Sequence, residues 1–142
     1  MANCTTTHEQ HVNATAQQLW AAWINPDIMA KWFWPMYPDS TYQTDARQGG
    51  EYRYASEKTG VGAYGIFTEV VPEHLLRMTW NWVDEHQNDE ETVSVWFEDG
   101  VIRLEHAAAT MDSCDMNRAA WTDRLRRLME LWGRKEQAEP IA

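Results

Sequence analysis

Cysteine and metal-binding patterns are scarce in this sequence. Only Cys4 and Cys114 are cysteines among 142 residues, and neither lies in a CxxC motif or beside a group of histidines. We therefore expect neither a disulfide framework nor a zinc site. His8 and His11 are three residues apart in one predicted strand, so their side chains point to opposite faces and do not share a metal ion. No metal and no other cofactor is expected.

Basic residues are also scarce. Twelve Lys and Arg stand against 22 Asp and Glu, which gives a formal net charge of −10. Such a surface repels phosphate groups, so we expect no nucleic-acid partner and no membrane binding. No stretch approaches the roughly 20 apolar residues of a membrane helix, and the polar beginning does not resemble a signal peptide. These features predict a cytoplasmic protein whose negative charge keeps it in solution.

Common catalytic motifs are missing as well. The sequence has no GxSxG nucleophile motif, and neither cysteine has a suitable histidine partner. Gly60 and Gly62 are not followed by the lysine and helix of a phosphate-binding loop. The sequence therefore gives little support for catalysis by these routes.

Tryptophan, in contrast, is abundant. The nine tryptophans lie within residues 20–34, 80–96 and 121–132. Each can bury roughly 150–250 Å². We expect core packing to account for more than half of them. The remainder favour a cavity, because a small domain seldom needs so many large flat rings.

The spacing of apolar residues predicts an α+β fold. Residues 5–13 read as a first strand, residues 16–23 have helical spacing, and Pro26 begins a second short helix. Residues 41–109 alternate between polar and apolar side chains with turns between the runs, which indicates an antiparallel meander. Residues 114–134 form the long final helix. We expect about six or seven strands, two short helices and one long C-terminal helix.

One domain is expected to span residues 1–142. No linker or internal repeat divides the sequence. Residues 135–142 read as a flexible tail. The acidic residues 84–91 read as an exposed hairpin loop.

Five motifs occur in the order found in one known superfamily. They are VNATAQQLWAAWINPDIMAKWF, TDARQGGEYRY, GIFTEVVPEHLLRMTW, VSVWFEDG with VIRLEH, and AAWTDRLRRLMELW. Over residues 8–133 the chain resembles the START-like (SRPBCC) superfamily, and within it small bacterial proteins similar to the C-terminal domain of the activator of the heat-shock chaperone ATPase. The resemblance implies a helix-grip fold, in which a curved sheet wraps the long helix. Members bind lipids, polyketides, flavonoid-like compounds or chaperones, and some are cyclases or hydrolases, so the fold leaves function open.

Alternation along the strands identifies the side chains that should face the interior. Residues two apart point to the same face of a sheet. The final helix should close the other side, and the region after the second helix is the expected entrance. A wall of broad rings with a few polar groups suits an aromatic ligand. The predicted ligand-binding residues are Trp32, Trp34, Tyr52, Tyr54, Phe67, Met78, Trp80, Trp82, Phe97, Trp121 and Leu125.

Two ionisable residues share that predicted inner face. His106 titrates near neutral pH and is a candidate acid or base. Glu69 is a second candidate. The structural alternatives are a His106 bonded to a carboxylate or a carbonyl, and a Glu69 paired with Arg53 or Arg103; we favour both alternatives over catalysis.

Three functions follow as hypotheses. The first is binding of a small hydrophobic, aromatic molecule. The second is an enzyme of the cyclase, hydratase or hydrolase type that uses His106 or Glu69 in the same cavity. The third is a chaperone-associated interaction module. A homodimer is a further expectation, because exposed tryptophans within residues 20–34 would form a dimer surface as readily as a pocket mouth.

Overall fold

A seven-stranded antiparallel sheet and three helices make up the described part of the chain. The computed structural model describes residues 4–83 and 90–133. The strand order is β1-β7-β6-β5-β4-β3-β2, and this α+β helix-grip arrangement confirms the predicted fold class. The strands are β1 Cys4–His11, β2 Thr41–Thr44, β3 Glu51–Ser56, β4 Val61–Val71, β5 Leu75–Trp82, β6 Glu91–Glu98 and β7 Val101–Ala108, and the helices are α1 Ala16–Ile24, α2 Pro26–Trp32 and α3 Met111–Glu130.

The two short helices begin where the sequence supplies capping side chains. Thr15 caps α1: its hydroxyl accepts a hydrogen bond from the Gln18 N–H, and its own N–H donates to the side-chain oxygen of Gln18. Asn25 ends α1 in an extended conformation and caps α2 through the Asp27 N–H. Pro26 occupies the first helical position, where its missing N–H costs nothing. The predicted break between the helices is therefore confirmed.

The inner face of the sheet carries the hydrophobic core. Helix α3 packs against β1, β7 and α2, while α1 packs against β6 and β7. Alternation within the strands places the expected side chains inward, and burying them stabilises the fold by roughly 25 cal/mol for each Å² of apolar surface. The largest fully buried side chains include Trp23, Trp32, Trp80, Trp121, Tyr54, Phe33, Phe67 and Phe97.

Strand β4 breaks the expected alternation. Its register against β5 shifts between Phe67 and Glu69. As a result, Phe67 is buried and Val70 packs against the core, whereas Glu69 leaves the inner face. The shared face predicted for Phe67 and Glu69 is therefore wrong, because the bulge inserts a residue between them.

A disulfide joins Cys4 to Cys114, which corrects the expectation of none. Strand β1 pairs with β7, with Cys4 opposite Ala108, so the start of the first strand lies beside the start of α3. The helix also begins earlier than predicted, at Met111 with Thr110 as its cap. Disulfides persist in oxidising compartments and are rare in the cytosol, so the bond weighs against the cytoplasmic location, which stays a prediction.

Glu91 corrects the interpretation of the acidic stretch. Residues 84–89 lie outside the described residues, as does the predicted tail at 135–142. Glu91, however, begins strand β6 and is only 4% exposed. Within the described ranges, no helix combines the length and hydropathy needed to cross a membrane.

The tryptophans within residues 20–34 do not form an exposed surface. Trp20, Trp23, Trp32 and Trp34 are all buried, at most 8% exposed. The predicted exposed patch is therefore wrong, and its rings belong to the core. A homodimer stays a prediction without that surface to support it.

Candidate ligand-binding site

Five aromatic rings from five parts of the fold meet between the sheet and α3. We call Trp23, Phe33, Tyr54, Trp80 and Trp121 the aromatic cluster. Trp23 stacks on Trp121 with ring centroids 5.9 Å apart, and Trp80 meets the same Trp121 ring at 5.6 Å. Phe33 lies 5.2 Å from Tyr54. All five side chains are fully buried, so the cluster fills the space where a cavity is predicted.

Three polar atoms of the aromatic cluster lack a hydrogen-bond partner. They are Nε1 of Trp23, Nε1 of Trp80 and the hydroxyl of Tyr54, and none has an acceptor among the described residues. A buried donor left unpaired costs about 1–3 kcal/mol. Such groups are rare in native proteins, and three within one cluster need an explanation.

The hydroxyl of Tyr54 is the most informative of these atoms. Burial raises the pKa of Tyr54 well above the usual value. The Thr44 hydroxyl and the Trp23 indole lie beside the Tyr54 hydroxyl and act to lower that pKa, but by less than burial raises it. Neither neighbour makes a hydrogen bond of acceptable geometry with it, and the Thr44 hydroxyl is itself unpaired within the described part of the chain. Tyr54 therefore stays a neutral O–H donor at physiological pH.

Neighbouring aromatic side chains have their polar atoms satisfied by the protein. The Tyr52 hydroxyl donates to the Thr79 carbonyl at 2.6 Å. Trp32 Nε1 donates to the Ala22 carbonyl at 3.0 Å. The unpaired groups of the aromatic cluster are thus a local feature and not a general property of this core.

His106 is held by hydrogen bonds on both ring nitrogens. Trp121 Nε1 donates to Nδ1 at 2.9 Å. Because an indole N–H only donates, Nδ1 carries no proton, and Nε2–H donates to Glu91 Oε1 at 2.7 Å. Burial, aided by the charge of Arg124, lowers the pKa of His106 in spite of the Glu91 carboxylate, which acts to raise it, so the neutral ring is favoured. The satisfied structural histidine that the sequence favoured is the arrangement found.

Glu91 connects this histidine to the start of α3. Its Oε2 accepts from the Ser113 hydroxyl at 2.7 Å and from the Ala109 N–H at 3.0 Å. Burial acts to raise the pKa of Glu91, but the bonds from His106, Ala109 and Ser113 outweigh it, so the pKa lies below its usual value. Sequence reasoning missed Glu91, although it has the same strand parity as the inward-facing Val93.

Glu69 does not join the interior. Its carboxylate binds Arg77 Nη1 at 2.7 Å on the outer surface, where its side chain is 43% exposed. The expected partners Arg53 and Arg103 are therefore wrong, because the β4 bulge turns Glu69 toward the neighbouring strand. The structure does not bring Glu69 and His106 together.

The remaining predicted ligand-binding residues surround the aromatic cluster. Trp32 packs inside against Trp23 at 5.2 Å and does not lie at an entrance. Trp34 follows α2 and packs on Phe33 at 4.9 Å. Trp82 is half-buried beside Trp80. The core residues in this set are Tyr52, Phe67, Met78, Phe97 and Leu125.

Sequence reasoning also missed Phe33 and Arg124. Phe33 contacts Tyr54 and Trp121 and joins the end of α2 to the cluster. The Arg124 guanidinium lies 4.8 Å from the Phe33 ring centre and 4.6 Å from that of Trp121. The helical spacing of Trp121, Arg124 and Leu125 was the available signal, since these residues share the inner face of α3.

A separate concavity of about 1090 Å³ lies on the outer face of the sheet. Arg53, Tyr64 and Asn81 are among the residues that line it. The side chains of these three residues point to the opposite face of the sheet from those of Tyr52 and Tyr54. Tyr52, a predicted ligand-binding residue, also borders the concavity, but none of the five rings of the aromatic cluster lines it.

Comparisons with known proteins identify a family and several structural neighbours. The profile of the family described as Activator of Hsp90 ATPase homolog 1-like protein matches residues 13–133. No curated protein sequence matches the chain at a significant level. DynU16, a protein in the dynemicin biosynthetic locus, has a similar fold, with a TM-score of 0.73 at 17% identity over 89% of this chain. This chain spans only 46% of the DynU16 chain.

Two further structures match over most of both chains. CalU16 from Micromonospora echinospora has a TM-score of 0.70 at 19% identity, and the match covers 93% of this chain and 78% of that chain. MLL2253 from Mesorhizobium loti has a TM-score of 0.75 at 15% identity and covers 96% of this chain and 100% of that chain. Likeness at these identities establishes the fold and not the activity.

Proposed function

This chain belongs to the family of Activator of Hsp90 ATPase homolog 1-like proteins, and from that premise we propose that it binds a small aromatic molecule that carries hydrogen-bond acceptors. The site is the aromatic cluster between the sheet and α3. Binding there requires the ligand to displace contacts between rings that touch one another in this structure.

The unpaired donors of the aromatic cluster carry the proposal. A carbonyl or ether oxygen of a ligand would accept from the Tyr54 hydroxyl and from the indoles of Trp23 and Trp80, which have no acceptor among the described residues. The flat rings around them favour an aromatic body through stacked and edge-on contacts. An apolar wall with a few polar groups is the usual composition of a ligand site.

The segment between α2 and β2 is the proposed entrance. Residues 33–40 contain no helix or strand, and Phe33 within them belongs to the aromatic cluster. Arg127 holds the start of this segment through the carbonyls of Trp32 and Phe33, both at 2.9 Å. The Tyr42 hydroxyl accepts from the Trp34 N–H at 3.2 Å. Asp39, later in the segment, accepts from the Ser56 hydroxyl at 2.8 Å and from the Lys58 N–H at 3.0 Å. Opening of the segment therefore requires these contacts to break together with those of Arg127 and Tyr42.

A matched pair of probes tests the proposal. Fluorenone and fluorene have the same tricyclic shape, but only fluorenone has a carbonyl acceptor. We expect fluorenone to bind about tenfold more tightly, which corresponds to about 1.4 kcal/mol. Quenching of tryptophan fluorescence and native mass spectrometry measure the two affinities.

Substitution of Tyr54 supplies the control. Tyr54→Phe should reduce the preference for fluorenone, while Tyr64→Phe, on the outer face, should leave it unchanged. The Tyr54 variant should fold at least as stably as the wild type, because it removes an unpaired hydroxyl. Equal affinities for both probes, or a broad aromatic library with no binder, would overturn the proposal.

The other hypotheses receive no comparable support. Both ring nitrogens of His106 are already bonded, and Glu69 lies on the outer surface. Their catalytic roles stay predictions that this geometry does not favour. A chaperone partner likewise stays a prediction of family membership, and no described surface feature adds to it.

A further inference from the structure

Arg124 is a buried cation in the middle of helix α3. Its side chain is on the helix face that also carries Trp121, Leu125 and Leu128, and the residue is 5% exposed. The neighbouring Arg126 binds Asp123 at the surface instead, at 3.4 Å. Burial of a charged group is costly unless the group is paired. The position of Arg124 therefore needs a physical reason.

No carboxylate pairs with Arg124 among the residues that the structure describes. Its Nη1 is buried and has no hydrogen-bond partner there. The charge of Arg127 acts to lower the pKa of Arg124, whereas Tyr37, Tyr42 and Asp123 act to raise it. Burial lowers the pKa of Arg124 to about 9, which leaves the guanidinium charged at neutral pH.

Among the described residues, three aromatic rings contact the guanidinium and offset part of this cost. The guanidinium carbon lies 4.6 Å from the Trp121 ring centre, 4.8 Å from Phe33 and 5.6 Å from Trp34. Cation–π contacts of this kind contribute about 0.5–2 kcal/mol. The rings contact the flat face of the guanidinium, so its in-plane N–H groups can still donate to an acceptor.

We propose that Arg124 binds the acidic group of the ligand, so that the ligand class is aromatic acids, bearing a carboxylate or a sulfonate, in preference to neutral aromatics. This inference rests on the proposed function. Phe33 and Trp121 contact both Arg124 and the rest of the aromatic cluster, so one molecule can reach the guanidinium at one end. Its acceptor then meets Tyr54 at the other, which orients the ligand.

The net negative charge of the protein makes a comparison of anionic and neutral probes informative. A net charge of −10 disfavours anions in general. A preference for an anionic probe must therefore arise from a local cation. The exposed Arg126 provides a matched control, because Arg126→Gln changes the net charge by the same amount on the same helix.

Two fluorescent probes test the proposal. 8-Anilinonaphthalene-1-sulfonate and N-phenyl-1-naphthylamine share one ring system, and only the first carries a sulfonate. We expect the wild type to bind the sulfonate more tightly, and fluorenone to displace it. Arg124→Gln should weaken sulfonate binding about tenfold and leave the neutral probe within about twofold. Arg126→Gln should leave both affinities within about twofold.

The outcomes separate this inference from the proposed function. A wild type that binds the neutral probe at least as tightly as the sulfonate overturns the inference and leaves the proposed function standing, whether or not the variants fold. The inference is also overturned if Arg124→Gln weakens the binding of both probes equally, or if fluorenone does not displace the sulfonate probe. A wild type that binds neither these probes nor fluorenone overturns both.

Discussion

Two polar regions lie next to each other in the interior and differ in how their hydrogen bonds are made. Around His106, both ring nitrogens and both oxygens of Glu91 have protein partners. Around Tyr54, the hydroxyl and the indoles of Trp23 and Trp80 have none within the described residues. The regions meet where Trp80 and Trp121 pack at 5.6 Å.

The difference separates a structural network from a candidate binding surface. A fully satisfied buried network fixes one arrangement, and here it joins β6 and β7 to the start of α3. Unpaired donors instead lower the stability of the ligand-free protein, and they can still donate hydrogen bonds to a bound ligand. Trp121 belongs to both regions, because its indole N–H supports His106 while its ring faces the aromatic cluster.

The largest expected effect comes from removing the acceptor of the satisfied network. Glu91→Ala leaves His106, Ser113 and the Ala109 N–H without their acceptor, and we expect the free energy of unfolding to fall by about 3–5 kcal/mol. Urea denaturation measures this change. Glu90→Ala, at the exposed neighbouring position, should cost about 0.5 kcal/mol or less. A loss below about 1 kcal/mol for Glu91→Ala would contradict the structural role.

A smaller effect should distinguish the two tryptophans where the regions meet. Trp121→Phe and Trp80→Phe remove similar volumes from the core, but only the first removes a hydrogen bond. We expect Trp121→Phe to be more destabilising by about 1–2 kcal/mol, because Nδ1 of His106 loses its donor. Thermal and urea denaturation of the two variants under one set of conditions measure the difference. Equal losses would show that the indole N–H of Trp121 adds no net stability.

The smallest expected effect is a dependence of stability on pH. The pKa of folded His106 lies below the usual 6.5, so the unfolded chain takes up a proton first as the pH falls. The free energy of unfolding should therefore decrease below about pH 6.5, and Glu91, whose pKa is also lowered, should add a loss only as its carboxylate protonates at lower pH.

Variants isolate the histidine part of that dependence. His106→Gln should show a smaller decrease between pH 7.5 and 5.5 than the wild type. His74→Gln, at an exposed position, should behave as the wild type does. Part of the decrease should remain in every variant, because burial also lowers the pKa of His8. An unchanged slope in His106→Gln would assign the decrease to other groups.

Local pattern was sufficient for much of the fold and of the candidate site. The alternation of side chains correctly placed Tyr52, Tyr54 and Trp80 inward, because every second residue points to the same face as long as a strand pairs regularly. It failed for Glu69, since the bulge after Phe67 changes the parity and nothing in the local composition marks it. It could have found Glu91, which has the parity of Val93, but the surrounding acidic residues favoured a loop.

The sequence by itself therefore determined the order of helices and strands, the break between α1 and α2 before Pro26, and most of the residues of the aromatic interior. These depend on neighbours within a few positions of the chain. Only the tertiary structure decided the Cys4–Cys114 bond, the contact between Glu91 and His106, and the unpaired burial of Arg124. Each depends on which strands pair, in what register, and where α3 crosses them, and those choices are made by long-range packing that local spacing does not encode.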